Sequence, residues 1–282
     1  MFKTLIDPST LAGKLEDKTW IVIDCRFDLG NPAKGEELYR EAHIPGARYA
    51  HLDRHLSGVK TGKNGRHPLP DIDQVTRNFS DLGISPGVQV VAYDGDNGMY
   101  ASRLWWMLRW MGHDAAAVLD GGLSRWQHEG HAVRGGVEPA TPGDFKGAPR
   151  PGWRLSADEV LKDLKNPLRQ LVDARSPERF RGIGETIDPV GGHIPGAANY
   201  FYMQNLTAEK TFKSPDDLRT QWNAVLKGRE ARDVVMYCGS GVTACHNLLA
   251  LEHAGLHGAR IYPGSWSEWS ADPTRPRATD ED

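Results

Sequence analysis

The chain has 282 residues, of which 39% are hydrophobic and 25% are charged. This composition is typical of a globular protein, and the length suits two domains of ordinary size. A net charge of −3 gives no reason to expect nucleic acid or an anionic membrane as a partner. Because no segment approaches the roughly 20 apolar residues of a membrane-spanning helix, we expect no membrane association, and we also expect no signal peptide.

Apolar runs alternate with helical patterns along the first half of the chain. The predicted strands cover residues 20–24, 88–93 and 115–119, and the predicted helices cover residues 9–16, 35–42, 71–82 and 100–111. This alternation predicts an α/β fold, in which a mostly parallel sheet is flanked by helices on both faces.

The second half repeats landmarks of the first half in the same order. His43-Ile-Pro-Gly-Ala47 returns as His193-Ile-Pro-Gly-Ala197, and Val90-Val-Ala-Tyr-Asp94 returns as Val234-Val-Met-Tyr-Cys238. The order indicates two copies of a domain of about 140 residues. Residues 136–152, which are rich in proline and glycine, are the predicted linker between domains at 1–135 and 153–282.

A short loop carries the strongest chemical signal. Val234 to Tyr237 predicts a buried strand; Cys238-Gly-Ser-Gly241 follows, and a helical pattern starts directly behind it. Backbone N–H groups of such a turn and the N-terminus of the helix favour a thiolate over a thiol. Cys238 is therefore a predicted nucleophile, the alternative being a buried structural cysteine, and the first copy has Asp94 there and cannot do thiol chemistry.

The remaining cysteines give no sign of a disulfide framework or a metal site. Cys25, Cys238 and Cys245 are the three cysteines, and neither they nor His246 have the spacing of zinc ligands. A reducing cytoplasm is the expected compartment, since it keeps Cys238 usable. The acidic tail, residues 280–282, is predicted to be disordered.

The paired His-Ile-Pro-Gly-Ala motifs, the Asp120-Gly-Gly…Trp126 turn and the loop Cys238-Gly-Ser-Gly-Val-Thr243 resemble the tandem-domain rhodanese family. The resemblance covers about residues 5–270. The loop looks like that of the 3-mercaptopyruvate sulfurtransferase branch, because the thiosulfate branch typically places cations after the cysteine. Residues 239–244 contain neither Arg nor Lys.

The resemblance implies two-step covalent catalysis without a cofactor. The Cys238 thiolate takes sulfur from 3-mercaptopyruvate, pyruvate leaves, and a Cys238 persulfide passes the sulfur to cyanide or to a thiol acceptor such as a thioredoxin-like protein. Loop N–H groups hold the persulfide, so the implied binding residues of the loop are Gly239, Gly241, Val242 and Thr243.

The resemblance also implies a proton relay formed by Ser240, His67 and Asp53, and a carboxylate-binding arginine, Arg179. The family's second arginine has no counterpart within residues 184–190. Each residue has a plainer interpretation. His67 suits a solvated loop, Asp53 a turn cap, Ser240 a small turn residue and Arg179 a surface ion pair.

Three other functions compete with this hypothesis. Thiosulfate:cyanide transfer would use the same Cys238. A cysteine phosphatase would need an arginine six positions after the cysteine, where this chain has Ala244. A non-catalytic rhodanese-like binding module fits the first copy, which lacks the cysteine, but not the second.

Overall fold

The computed structural model describes residues 1–279, which form two compact units. The first unit comprises Met1–Gly58, Pro70–Arg150 and Ala208–Phe212. The second comprises Val59–Leu69, Pro151–Thr207 and residues 213–279. The chain passes from the first unit to the second after Arg150, within the predicted linker. Two short segments, Val59–Leu69 and Ala208–Phe212, pack with the other unit than the one that surrounds them in the sequence. The predicted disordered tail, residues 280–282, lies outside the described residues.

The first unit is an open parallel sheet with helices around it. Its strands are β1 (Leu5–Ile6), β2 (Trp20–Asp24), β3 (Arg48–Tyr49), β4 (Gln89–Tyr93) and β5 (Ala116–Leu119). Its helices are α1 (Pro8–Ala12), α2 (Lys34–Glu41), α3 (Leu52–His55), α4 (Ile72–Asp81), α5 (Ala101–Trp110) and α6 (Gly122–His128). The sheet order is β1-β5-β4-β2-β3, with every pairing parallel, and Val22 lies opposite Val91 in the register of the central pair.

The second unit repeats this architecture on a smaller sheet. Its strands are β6 (Gln170–Asp173), β7 (Ala198–Asn199), β8 (Val234–Tyr237) and β9 (Arg260–Ile261). Its helices are α7 (Ala157–Asp163), α8 (Pro177–Phe180), α9 (Pro215–Leu226), α10 (Thr243–His253) and α11 (Ser265–Trp269), with single 3₁₀ turns at Tyr202–Asn205 and Ala231–Asp233. The strand order is β7-β6-β8-β9, and every pairing is again parallel. Strand β8 lies between β6 and β9 and is therefore an interior strand.

Burial explains why the central strands are continuous apolar runs. All residues of β4, β5 and β8 are buried, as expected for parallel strands covered on both faces. Each unit has its own apolar cluster, in which Trp126 serves the first unit and Trp266 with Trp269 serves the second. These three tryptophans are thus core residues.

Helix α1 is shorter than the predicted helix at 9–16. It starts after Asp7, whose side chain accepts the N–H of Thr10, with Pro8 in the first turn, and it ends at Gly13. Proline suits the first turn of a helix, and glycine is a poor helix former, so the apolar pattern beyond Gly13 continues as a turn.

Within residues 1–279, no helix is long and apolar enough to cross a membrane. Over the same residues, no group of three or more His, Cys, Asp or Glu side chains is placed to hold a metal ion.

Candidate active site

The candidate site lies at the C-terminal end of β8, where the strand enters the loop that leads to α10. Sites in open parallel sheets form at this end of the strands. Cys238, the first residue of the loop, is only 2% exposed. The thiol therefore sits at a strand end next to the N-terminus of a helix of 11 residues.

Backbone hydrogen bonds fix the cysteine and reach its sulfur. The N–H of Gly241 donates to Sγ of Cys238 at 3.1 Å. The N–H of Cys238 donates to Oγ of Ser265 at 3.0 Å, and its carbonyl accepts the N–H of Trp266 at 2.9 Å. The loop is thus tied to α11, and one of its N–H groups stabilises negative charge on the sulfur.

Gly241 is required by both its conformation and its surroundings. Its φ is +76°, in the left-handed region that favours glycine. A Cβ at this position would lie 2.2 Å from the carbonyl oxygen of Pro263. Any other residue would push the loop away from Pro263 and so move the N–H that contacts the sulfur.

Ser265 is a serine in a conformation that serine rarely adopts. It is fully buried with φ +56°, and its Oγ donates to the carbonyl of Tyr262 while accepting the N–H of Cys238. The matching residue of the first copy is Gly122, with φ +57°. A non-glycine in this region costs about 1–3 kcal/mol, which the two hydrogen bonds of the hydroxyl offset.

Two of the predicted relay residues meet in the second unit. Nδ1 of His67 lies 2.8 Å from Oγ of Ser240, and both side chains are buried. His67 belongs to Val59–Leu69, the segment that packs with the second unit. Asp53, the predicted third member, lies in α3 of the first unit, where its N–H donates to Nδ1 of His51. Its role in the relay stays a prediction.

Arg179 shares a carboxylate with a second arginine that the sequence analysis missed. Nη2 of Arg179 donates to Oδ2 of Asp188 at 2.9 Å, and Nη1 of Arg66 donates to Oδ1 of the same side chain at 2.5 Å. Both guanidinium groups approach Gly239. From the place where a Cβ on Gly239 would lie, Nη2 of Arg66 is 3.0 Å away and the Nη atoms of Arg179 are 3.6 and 3.7 Å away. The residue after the cysteine is therefore flanked by two cations.

The other predicted binding residues complete the loop. Val242 is buried and immediately precedes α10, and Thr243 is the half-buried first residue of that helix. Cys245 is fully buried, and its S–H donates to the carbonyl oxygen of Gly241.

Sequence reasoning missed Arg66, Asp188 and Ser265. A usable signal existed for two of them. Arg66 directly precedes the predicted relay histidine, and Ser265 stands where the first copy has a glycine. Asp188 lies in the segment that lacks the family's second arginine, and nothing in the sequence pattern distinguishes it from other loop acids.

The chain is similar to known proteins over most of its length. The rhodanese-like domain model matches residues 7–129 and again residues 156–272. A probable 3-mercaptopyruvate sulfurtransferase of Pseudomonas aeruginosa is 45% identical over 98% of this chain and 98% of its own length. A putative thiosulfate sulfurtransferase, SseB, of Mycobacterium tuberculosis is 36% identical over 97% of this chain and 96% of its own length.

A solved structure gives the same result for the fold. The 3-mercaptopyruvate sulfurtransferase from Leishmania major superposes with a TM-score of 0.83 at 32% identity, covering 95% of this chain and 74% of that one. The resemblance and the fold class predicted from the sequence are confirmed. The chain belongs to the rhodanese family and carries two rhodanese-like domains, each a mostly parallel sheet flanked by helices.

Proposed function

We propose that this chain is a sulfurtransferase that takes sulfur from 3-mercaptopyruvate through a persulfide on Cys238. The observation that carries the proposal is the sulfur of Cys238 accepting the N–H of Gly241, in a loop flanked by Arg66 and Arg179. This arrangement joins a nucleophile to a binding place for an anion. Relatives named 3-mercaptopyruvate sulfurtransferase, at up to 45% identity among those described above, support the choice of donor.

In the first step, the Cys238 thiolate attacks the thiol sulfur of the donor. A sulfur–sulfur bond forms, and the carbon–sulfur bond of the donor breaks with its electron pair remaining on carbon as the enolate of pyruvate. The proton of the donor thiol ends on that carbon, so pyruvate and the Cys238 persulfide anion are the products. The N–H of Gly241 stabilises the thiolate before the attack.

His67 and Ser240 are the groups that move the proton. Their 2.8 Å contact gives the hydroxyl a basic partner, and burial of both side chains excludes bulk water from the transfer. In this proposal Asp53 orients the histidine, as the third member of the relay. A cycle of His67→Gln, Asp53→Asn and the double variant tests this assignment, because partners in one relay lose less activity together than the sum of their separate losses.

Arg66 and Arg179 bind the donor's carboxylate. Planar guanidinium groups bind carboxylates through paired hydrogen bonds, and both groups approach the residue next to the nucleophile. A Cβ on Gly239 would lie only 3.0 Å from Nη2 of Arg66, so glycine lets this guanidinium approach the loop closely. Binding at this point would place the donor sulfur against Sγ of Cys238.

In the second step, an acceptor attacks the outer sulfur of the persulfide and releases the Cys238 thiolate. The proposed acceptors are cyanide or a thiol, such as that of a thioredoxin-like protein. The proposed compartment is the reducing cytoplasm, since Cys25, Cys238 and Cys245 are all free thiols.

The first domain, residues 1–135, is proposed to be non-catalytic, with the linker at 136–152 and the catalytic domain at 153–282. Asp94 stands in the first copy where Cys238 stands in the second, and a carboxylate cannot carry transferable sulfur. The cavity along Arg125, His128 and Lys210 in the first unit has a volume of about 520 Å³ but contains no nucleophilic thiol.

Thiosulfate is the second candidate donor. The observation that favours it is the arginine pair beside the loop, because a compact dianion gains from adjacent cations. The relative in Mycobacterium tuberculosis bears a thiosulfate sulfurtransferase name.

The test is a donor panel combined with intact mass measurement. Purified protein incubated with 3-mercaptopyruvate should gain about 32 Da, one sulfur atom, on Cys238 and release pyruvate. Cys238→Ser should lose both signals and keep its fold, whereas the matched thiol variant Cys25→Ser should keep them. No adduct with either donor would favour a binding module, and faster turnover of thiosulfate would reverse the choice of donor.

A further inference from the structure

A single buried carboxylate joins the two arginines of the proposed site. Asp188 is 1% exposed at its side chain, and its two oxygens accept one guanidinium each, Oδ1 from Arg66 and Oδ2 from Arg179. Each arginine side chain is 22% exposed. Two guanidinium groups that bind the same carboxylate are close enough to repel one another, and an anion between them offsets this repulsion. Asp188 supplies that anion from the chain itself.

Glu185 adds a second carboxylate to the same cluster. Its Oε2 accepts Nε of Arg179 at 2.8 Å, and its Oε1 accepts the N–H groups of Ile187 and Asp188. Burial opposes ionisation of Glu185, but the hydrogen bonds from Arg179 and from these N–H groups outweigh it and lower the pKa of the carboxyl. The cluster of Arg66, Arg179, Asp188 and Glu185, hereafter the arginine cluster, holds two positive and two negative charges. Nη1 of Arg175 also lies 3.7 Å from Oε2 of Glu185, and the charge of Arg175 is balanced by its own partner, Asp173.

The arginine cluster keeps hydrogen-bond donors directed at the loop. Nη2 of Arg66 and both Nη atoms of Arg179 lie within 4 Å of the position that a Cβ on Gly239 would occupy. Nε of Arg66 is buried and has no hydrogen-bond partner among the described residues. Nη2 of Arg66 and Nη1 of Arg179 are the donors near Gly239 that do not bind Asp188, and they can bind an incoming anion although the net charge of the cluster is close to zero.

We propose that Asp188 is a positioning residue that determines donor specificity, by bridging Arg66 and Arg179 and cancelling part of their charge. A site with directed donors but little net charge binds a planar monocarboxylate well, because a carboxylate gains mainly from paired hydrogen bonds. A compact dianion such as thiosulfate gains mainly from net positive charge, which Asp188 removes. This inference rests on the proposed function and assigns the preference for a keto acid to one side chain.

The segment around Asp188 also accounts for the missing second arginine of the family pattern. Residues 184–190 contain Glu185 and Asp188 but no cation. The second cation comes from Arg66, in a different part of the chain, and the segment contributes the acids that fix it. The departure from the pattern thus places the opposite charge at this position.

The experiment compares Asp188→Asn with wild type on both donors at low and high ionic strength. Loss of the negative charge should raise kcat/KM for thiosulfate about tenfold, mainly through KM, and lower kcat/KM for 3-mercaptopyruvate a few fold. The gain on thiosulfate should shrink at high salt, because exposed charge interactions are screened. Asp188→Glu, which keeps the charge, should keep the wild-type ratio of the two donors.

The matched control is Asp163→Asn, which removes a carboxylate paired with Arg169 on the surface of the same unit. This variant should leave kcat/KM for both donors unchanged. Equal losses on both donors in Asp188→Asn would mean a purely structural role and would overturn the inference. A failure of the proposed function can be distinguished from this outcome, because the wild-type protein would then neither turn over 3-mercaptopyruvate nor form a persulfide.

A measurement on wild type covers the case in which Asp188→Asn does not fold. Alkylation of Cys238 by iodoacetamide should be slowed by pyruvate, a monocarboxylate, at concentrations several times lower than by sulfate, a dianion. Equal or better protection by sulfate would contradict the proposed cancellation of charge.

Discussion

Gly241→Ala separates the role of the loop N–H from ordinary backbone strain. Gly241 has φ +76°, and its N–H is the group that donates to Sγ of Cys238. Alanine in this conformation costs about 1–2 kcal/mol of stability whatever surrounds it. At this position the new Cβ would also lie 2.2 Å from the carbonyl oxygen of Pro263, so the loop must shift by about 1 Å to reach a normal contact distance.

A shift of that size removes the hydrogen bond on the sulfur. The N–H to Sγ distance is 3.1 Å, and about 1 Å more takes the pair out of hydrogen-bond range. Displacement of a reacting group by about 1 Å costs on the order of 100-fold in rate, and loss of one preorganised donor costs a similar factor. We therefore expect kcat to fall about 100-fold.

The matched control is Gly196→Ala. Gly196 has φ +77° in the same unit, but a Cβ there would meet no atom within 4 Å. Thermal denaturation should show a loss of a few degrees for both variants, whereas steady-state kinetics and alkylation of Cys238 should show the rate loss for Gly241→Ala alone. Equal rates in the two variants would refute the view that the Gly241 N–H activates the sulfur.

Three further predictions concern single side chains. Ser265→Gly should leave the free energy of unfolding within about 1 kcal/mol of wild type, because the relief of backbone strain offsets the loss of the hydroxyl's hydrogen bonds. It should lower turnover roughly tenfold, because the N–H of Cys238 loses its acceptor. Full turnover in kinetic assays would argue against a positioning role for Ser265. The pKa of Glu185 is lowered in the folded protein, so the stabilisation by its carboxylate is present above the unfolded-state pKa of about 4.3 and is lost as pH falls through the folded-state pKa. The denaturant midpoints of wild type and Glu185→Gln should therefore converge at low pH. A difference between the midpoints that stays constant with pH would contradict the ion pair. Asp94→Ala leaves three N–H groups without their acceptor, two of them buried and that of Tyr100 half-buried, and should cost about 3 kcal/mol in chemical denaturation. Persulfide formation on folded protein should stay at the wild-type level, and a specific loss of it would mean that the first domain takes part in catalysis.

Buried strands and the cysteine loop were the parts of this protein most open to prediction. The strands at 20–24 and 234–237 have the predicted bounds, because an apolar run buried on both faces has no competing local signal. The cysteine loop could be predicted because the strand, the cysteine, the glycines and the helical pattern follow one another directly in the sequence. Short strands such as Leu5–Ile6 went unpredicted, since two residues make no pattern.

The arginine cluster could not be read from spacing. Arg66 and Asp188 are 122 positions apart, and Arg66 lies in a segment of glycine and polar residues without periodicity. That segment packs with the second unit although chain order places it in the first domain. Long-range pairing of this kind depends on the folded backbone, and no local propensity encodes it.

The two copies share a polar network that carries no chemistry. Arg26 donates to Asp24 at the end of β2, and Arg175 donates to Asp173 at the end of β6, each with a buried carboxylate. Each arginine also donates to a loop carbonyl, at 2.6 Å in both copies. An arrangement that is kept in a copy without the cysteine serves the scaffold.

What differs between the copies is the occupant of the loop. In the first copy Asp94 accepts the N–H groups of Gly98 and Tyr100 at 2.9 and 2.8 Å, so a carboxylate of the chain itself fills the anion position. Burial raises the pKa of that carboxyl, and the N–H groups offset part of the cost. In the second copy Cys238 places a sulfur at the strand end and Gly241 donates to it. On the proposed function, the active copy has a thiolate where the first copy has a fixed carboxyl side chain. The same kind of loop stabilises the thiolate, which can also accept and release a second sulfur.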